Sequence, residues 1–429
     1  MLKYSDSPAS AEKWKKLEEV TSPEFVEAMK DLYSLYDFEL VEWFANLYDP
    51  TVGGFYYSNS ARDNDRIGDT SWLLRPDLES TMQALGFVSR SGITAGKPYA
   101  EYLPEWMKKD IGDYVYNSQD EDGYFYHAHW GKKIPIPRRG RDFNWSRYML
   151  SAFGREMKYK TILDKPGDAD EKKDESTDKT LIPDHLKSKE AFIEYLDSLN
   201  IGNKSYPMGH ALGTQADQIK SRGLMEVCLD YLDKTQHPET GIWQSETNYY
   251  GINGLMKITG VYSHFGKAVP NARTAALSAI DALVSDEPIV GIVDIWNTWV
   301  AVRFIIDSIR ANGGEGADEL AEDILKDVRA AAVKGLIKTK EKILPFKKPD
   351  HAFSYCRECP ASQSQGMPVC IPGLPEGDVN ATVMATTLMV ENIFISLSLQ
   401  DYAVPIFGEE ESKRFLEIIE NNRKKVKDK

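Results

Sequence analysis

The chain has 429 residues, 42% of them hydrophobic and 28% charged, which is enough apolar material for a large core and ordinary for a globular fold. A formal net charge of −14 argues against nucleic acid and anionic membrane surfaces as general partners, yet leaves room for a local basic patch facing an acidic small substrate. The N-terminal stretch has no apolar secretory core, no run approaches the roughly 20 apolar residues of a spanning helix, and four cysteines are too few for a disulfide framework. A reducing cytoplasm is therefore the expected compartment.

From Pro23 to Leu47 apolar and aromatic side chains recur at helical spacing, including Phe25, Met29, Leu32, Tyr36, Trp43 and Phe44, and the run stops at Asp49-Pro50. A second helix is predicted after Arg75-Pro76, through Leu78, Met82, Leu85 and Val88, with the proline suited to a first turn. A third covers 101–117. The same periodicity predicts helices at 142–163, 187–200, 211–234, 250–265, 270–284, 290–310, 317–337, 379–400 and 409–425. Strand-like runs are few and short. Residues 164–180, charged and without aromatics, read as a solvated surface loop. No linker divides the chain, so 1–429 is expected to be one domain.

A Gly-aromatic turn recurs between helical runs: Gly53-Gly54-Phe55-Tyr56-Tyr57, Asp122-Gly123-Tyr124-Phe125-Tyr126, Glu239-Thr240-Gly241-Ile242-Trp243 and a degenerate Asp350-His351-Ala352-Phe353-Ser354-Tyr355. Such self-similarity points to repeated helical hairpins, with glycine permitting the tight turn and the aromatic folding over a helix end. About twelve helices in pairs would make six hairpins closing into a ring. The layout resembles the α/α-toroid carbohydrate-active enzymes. His237-Pro238-Glu239-Thr240-Gly241-Ile242-Trp243 is similar to the repeated D-P-x-T-G-x-W/F turns of toroidal glycosidases, including unsaturated glucuronyl hydrolases. The resemblance implies an all-α, (α/α)6-like toroid with a pocket at one mouth, and it assigns no catalytic residue. Terpenoid cyclases and protein prenyltransferases share the toroid, but no D-x-D-D motif and no obvious His-Cys-Asp zinc arrangement is present.

The densest chemistry lies between Asp122 and Tyr148, where His127, His129, Arg138, Arg139, Arg141, Asp142 and Asn144 are threaded with aromatics. Packing and solvation would account for such a loop, but polar-aromatic loops on rigid scaffolds are where binding sites gather. Its arginines suit bidentate contact with a sugar carboxylate or phosphate. Asp77 and Glu79 open a predicted helix, where acids complement the helix dipole, and Glu79 with Gln83 shares a face that could look into the ring. Gly209-His210 through Gln215 and Gln218 breaks a helix with polar residues. In the stretch from Glu246 to Lys257, Tyr249, Tyr250 and Asn253 straddle a loop-helix junction. Asp294, Trp296, Asn297 and Trp299 point in different directions on one helix, and either indole could stack on a sugar. Cys356-x-x-Cys359 with Cys370 invites a zinc or redox reading, but no further ligand is marked out by spacing. Asp378 and Asn380 precede a helix, where either is a natural cap.

These observations point to a glycoside hydrolase acting on an oligosaccharide, uronic acid-bearing in one version, through a carboxylic acid and a carboxylate. The catalytic candidates are Glu79, Asp142 and Asp378. Substrate contacts are expected from Asp77, Tyr126, His127, His129, Arg139, Arg141, Gln215, Tyr250, Asn253 and Asn380. No metal or other cofactor is expected. The close rival is a polysaccharide lyase, in which Arg or Asn neutralises a uronate and Tyr or His moves the proton. A non-catalytic glycan-binding toroid and a terpenoid cyclase-like protein are the remaining alternatives.

Overall fold

A computed structural model describes residues 3–165, 179–312 and 314–427; most of the charged loop read at 164–180 lies outside them. The protein is all-α, 61% helix and 4% strand. Six helices carry the architecture: α1 (Leu78–Arg90), α2 (Ile136–Ala152), α3 (Ile201–Gly213), α4 (Tyr249–Phe265), α5 (Ile292–Asn312) and α6 (Val379–Ser396, interrupted at Thr386). Each packs on the next, α1 on α2 through to α5 on α6, and α6 packs back on α1. Neighbours run in the same direction. On α3 and α4, Ser205 meets Gly254, Gly209 meets Ile258 and Gly213 meets Val261. On α4 and α5, Asn253 bonds Asp294 while Gly260 faces Phe304.

The remaining long helices cover the six. Glu105–Asn117 lies on α2, while Ala272–Val284 and Ala317–Ile343 lie on α5. Pro23–Tyr33 packs on Ala317–Ile343, and Glu39–Asn46 on Glu409–Lys427. Among the described residues α6 is the one helix long and apolar enough to cross a membrane, but 78% of that span is buried inside the molecule. Its apolarity belongs to a core helix wrapped by others.

The four Gly-aromatic turns share one local structure. Tyr48 pairs with Phe55, Gln119 with Phe125 and Lys347 with Phe353, while the His237 N–H donates to Ile242 O. The turn residue is left-handed each time: φ is 83° at Gly53, 88° at Gly123, 67° at Gly241 and 68° at His351 in the degenerate copy. A side chain at Gly53 would place its Cβ 2.3 Å from Asp110 O, so conformation and close approach both require glycine there. Two turns plug the following helix identically. The Phe55 N–H donates to Thr81 Oγ1 and the Phe353 N–H to Thr382 Oγ1, both at 3.0 Å, one turn into helices capped by Asp77 and Asp378.

Three helix expectations shift. The run read from Pro23 to Leu47 is two helices, Pro23–Tyr33 and Glu39–Asn46. The helix placed at 142–163 spans Ile136–Ala152 instead, because Pro137 sits in its first turn, where a missing N–H costs nothing, and it ends before Gly154, whose φ is +66°. The helix read at 211–234 is three pieces, Ile201–Gly213, Ala216–Ser221 and Met225–Thr235. The first of these was hidden by Gly202 and Pro207; the chain accommodates Pro207 by a kink at Lys204, where φ is −133°.

Residues 355–366 lie across the six-helix arrangement. At one side Gly291 bridges to Cys356, and the Tyr355 N–H donates to the Asp378 cap at 2.8 Å, tying the segment to the starts of α5 and α6. From there the Tyr355 phenol reaches toward Tyr206 on α3. The tip of the Gln363–Ser364/Met367–Pro368 hairpin then brings Gln365 to His210 on α3 and Gly366 against Pro135, which precedes α2. In the packing order α2 and α3 stand opposite α5 and α6.

Candidate functional site

Two groups of polar side chains meet where α1 to α5 converge. The first is a sealed ion cluster. Arg138, fully buried, donates from Nη2 to Asp77 Oδ1 at 2.7 Å, from Nη1 to Glu79 Oε2 at 3.0 Å and from Nε to Asp142 Oδ2 at 3.0 Å. Its guanidinium also lies over the Trp130 ring, 4.6 Å from the centroid. Arg141 Nη1 stands 3.0 Å from Glu79 Oε1, and Gln83 joins Glu79 to Asn380 Oδ1 at 2.8 Å. Burial works against the Arg138 charge, yet Asp142, Asp77 and Glu79 hold its pKa above the ordinary value. Burial pushes Asp142 up to about 7 even with Arg138 beside it. The arithmetic explains this: three carboxylates face two guanidinium groups, so one proton on Asp142 leaves the cluster neutral.

The second group borders a cavity of about 290 Å³ lined by residues of α2, α3, α4 and α5 and of the segment after α3, among them Arg141, Trp145, His210, Lys257 and Trp296. Lys257 has no carboxylate or hydrogen-bond acceptor among the described residues; its ammonium lies 5.6 Å from the Tyr206 ring centroid. Burial first, and Arg141 second, lower its pKa to about 7, with Glu79 pulling the other way. His210 is held well below the usual histidine range by burial, Lys257 and Arg141, so its imidazole is neutral at pH 7. Three further cavity-lining atoms are buried without a partner: His210 Nε2, Trp296 Nε1 and Asn144 Oδ1. Seventeen buried side-chain atoms among the described residues lack a partner, and these three lie around one hollow.

The expected site residues divide between these and other places. Glu79 and Asn380 belong to the cluster, and Arg141 links cluster to cavity. Asp77 caps α1 through the N–H groups of Glu79 and Ser80 while binding Arg138. Asp378 caps α6, accepts from Tyr57, and is pushed up to about 7 by burial. The three expected catalytic acids do not share the cavity: none of Glu79, Asp142 and Asp378 lines it, because ion pairs hold Glu79 and Asp142 and a cap holds Asp378 inside the protein. Asn253 bonds Asp294 and Asn297, both at 2.7 Å, fastening α4 to α5.

Other expected contacts lie elsewhere. Tyr126, His127 and His129 border a separate cleft of about 610 Å³ with Arg75 and Tyr114. His127 is buried and lowered to about 4 by that burial, His129 is exposed, and Tyr126 donates to Asp122 at 3.0 Å. Arg139 stacks over Tyr124, 5.0 Å from the ring centroid, because it leaves α2 on a different face from Arg138 and Arg141. Gln215 bonds His185 at 2.7 Å. Tyr250 is 44% exposed, with its hydroxyl on Asn203 O at 3.3 Å. Among the described residues no group of three or more His, Cys, Asp or Glu could hold a metal ion; burial pushes the Cys356 and Cys370 thiols up, the latter strongly.

Sequence reasoning passed over Tyr206, and it named Lys257, His210 and Trp296 without selecting them as site residues. A signal was present in the glycines at 209, 213, 254 and 260, which let α3, α4 and α5 approach closely around the positions that face the hollow. No protein-family model, curated protein or solved structure matches the chain.

Proposed function

We propose that the chain is an (α/α)6-like toroid and a carbohydrate-active enzyme that cleaves a glycosidic bond of an oligosaccharide in its interior cavity. The toroid reading is supported by the helix packing order that returns to its start, by the common helix direction and by the repeated turns. The enzyme reading rests on one observation: a hollow between four of these helices, lined by two indoles and by polar groups that the protein does not pair. Indole rings suit the faces of sugars, and unpaired donors and acceptors suit hydroxyl and carboxylate groups.

Two chemistries were open. Hydrolysis needs a carboxylic acid free to protonate the leaving oxygen. Glu79 reaches the cavity wall through Arg141, and both of its oxygens are held by arginines. Elimination needs a cation to stabilise the charge that develops on a uronate carboxylate, and a base for the proton beside it. Arg141 and Lys257 supply the cations, and the neutral imidazole of His210 supplies the base, with the Tyr206 and Tyr355 phenols nearby. The base takes the α-proton, its electron pair becomes the ring C=C bond, and the C–O bond to the leaving sugar breaks as that oxygen gains a proton. Elimination is therefore the favoured version. A panel of neutral and uronic acid oligosaccharides tests it. Elimination yields ultraviolet absorbance together with a new reducing end; hydrolysis yields the reducing end alone and fails in Glu79→Gln. No product from any glycan would refute the enzyme reading.

A further inference from the structure

Of the groups bordering the cavity, two can only donate. An ammonium has no acceptor function, and neither has an indole N–H. Lys257 on α4 and Trp296 on α5 border the same hollow; the first lacks a carboxylate partner and the second lacks any hydrogen-bond acceptor. Acidic residues close by do not fill the gap. Glu79 is committed to Arg138 and Arg141, Asp294 to the N–H groups of Val290 and Gly291 and to Asn253, and Asp217 to Arg147 and His264. A charged amine set beside a guanidinium without a counter-ion is a costly arrangement. It is relieved by a ligand that brings the missing anion.

We propose that Lys257 and the Trp296 indole N–H together form a carboxylate subsite, so that the cavity selects a sugar acid in its free, unesterified form. The inference rests on the carbohydrate reading above and names the feature of the sugar that is read. Trp296 and Trp145 line the hollow, with Arg141 lying over the Trp145 ring 4.5 Å from its centroid; Lys257 and Trp296 Nε1 supply the donors, and His210 Nε2 is left without a partner among the described residues to take a proton. At about 290 Å³ the cavity stands at the lower end of small-molecule sites, roughly 300–1,000 Å³, and admits one or two sugar units rather than a long chain. The arginines of the 138–141 stretch, which the sequence offered for this task, are otherwise engaged: Arg138 is sealed in its cluster and Arg139 lies on Tyr124.

Calorimetric titration of the full-length protein with glucuronate, galacturonate, their methyl esters, glucose and acetate tests the subsite without requiring turnover. At least one free uronate is expected to bind at least tenfold more tightly than its methyl ester, glucose or acetate. Lys257→Met should lose at least tenfold in uronate affinity, and Trp296→Phe, which keeps a ring but removes the donor, a smaller factor of a few. Equal binding of acid and ester, acetate as tight as uronate, or no uronate binding by the wild type overturns the proposal, whether or not the variants fold. The two readings fail separately. Uronate binding with no turnover of any glycan keeps the subsite and removes the enzyme; turnover of neutral glycans with no preference for the acid removes the subsite and keeps the enzyme.

Discussion

The ion cluster and the cavity share α2, and Arg141 belongs to both, yet they treat buried charge in opposite ways. In the cluster every charged group has a partner at 3.0 Å or less: Arg138 meets three carboxylates, and the one excess negative charge is removed by the raised pKa of Asp142. Across Arg141, Lys257 has no anion, and His210 Nε2 and Trp296 Nε1 have no hydrogen-bond partner, among the described residues. Matched charges make a strut that fixes α1 against α2. The cluster keeps an unpaired buried donor of its own, Trp130 Nε1, whereas the cavity sets such atoms around a hollow that a ligand can enter.

The contrast breaks most visibly at Arg138. Arg138→Met leaves Asp77, Glu79 and Asp142 without their common cation, and removing one partner of a buried pair costs about 3–5 kcal/mol. Denaturant unfolding should show a loss of that order; a loss below about 1 kcal/mol would mean that the cluster is not a strut. Lys257→Met is expected to behave oppositely, keeping or raising stability, because it exchanges a half-buried amine with no carboxylate partner among the described residues for an apolar chain of similar length.

Acidity separates the two regions further. Asp142, raised to about 7 by burial, binds a proton in the folded state that the unfolded chain gives up near the ordinary carboxyl value. Its contribution is complete below that value and is lost as pH rises through about 7. Wild type should therefore lose stability relative to Asp142→Asn between pH 4 and pH 7; parallel curves would contradict the assignment. Lys257 carries its charge only below about 7, with Arg141 opposing that charge and Glu79 supporting it, while the Tyr206 ring and the neutral His210 complete its surroundings. Uronate affinity should accordingly fall as pH rises from 6 to 8.5. The smallest effect is expected at Trp296→Phe. An indole N–H with no partner contributes no hydrogen bond to folding, so the variant should stay within about 1 kcal/mol of wild type.

Much of the fold was legible in the sequence, because helical periodicity and left-handed turn glycines are local properties. The turns at Gly53, Gly123 and Gly241 were visible as a repeat, and the degenerate copy at His351 takes the same φ. A further repeat was there to be read: Asp77-Leu-Glu-Ser-Thr81 and Asp378-Val-Asn-Ala-Thr382 each place a capping acid four residues before the threonine that receives the turn. That spacing also explains why Asp77 and Asp378 looked catalytic, since caps and catalytic acids draw on the same residue types at helix starts. The site was less legible. Arg138, Arg139 and Arg141 are nearly adjacent, and which one is sealed, which is stacked on Tyr124 and which reaches the cavity depends on the helix starting at Ile136 rather than at 142. Lys257 looked like any surface lysine, because nothing local announces the absence of a partner.

Thermal unfolding of wild type and Lys257→Met, each with and without saturating glucuronate or galacturonate, tests the central claim most directly, because it reads stability and occupancy together. If an unmatched donor marks the binding site, the variant alone melts no lower than wild type, and the uronate raises the melting temperature of wild type but not of the variant. A variant that melts several degrees lower, with the uronate shifting both proteins equally, would show that Lys257 belongs to the scaffold and that the sugar acid binds somewhere else.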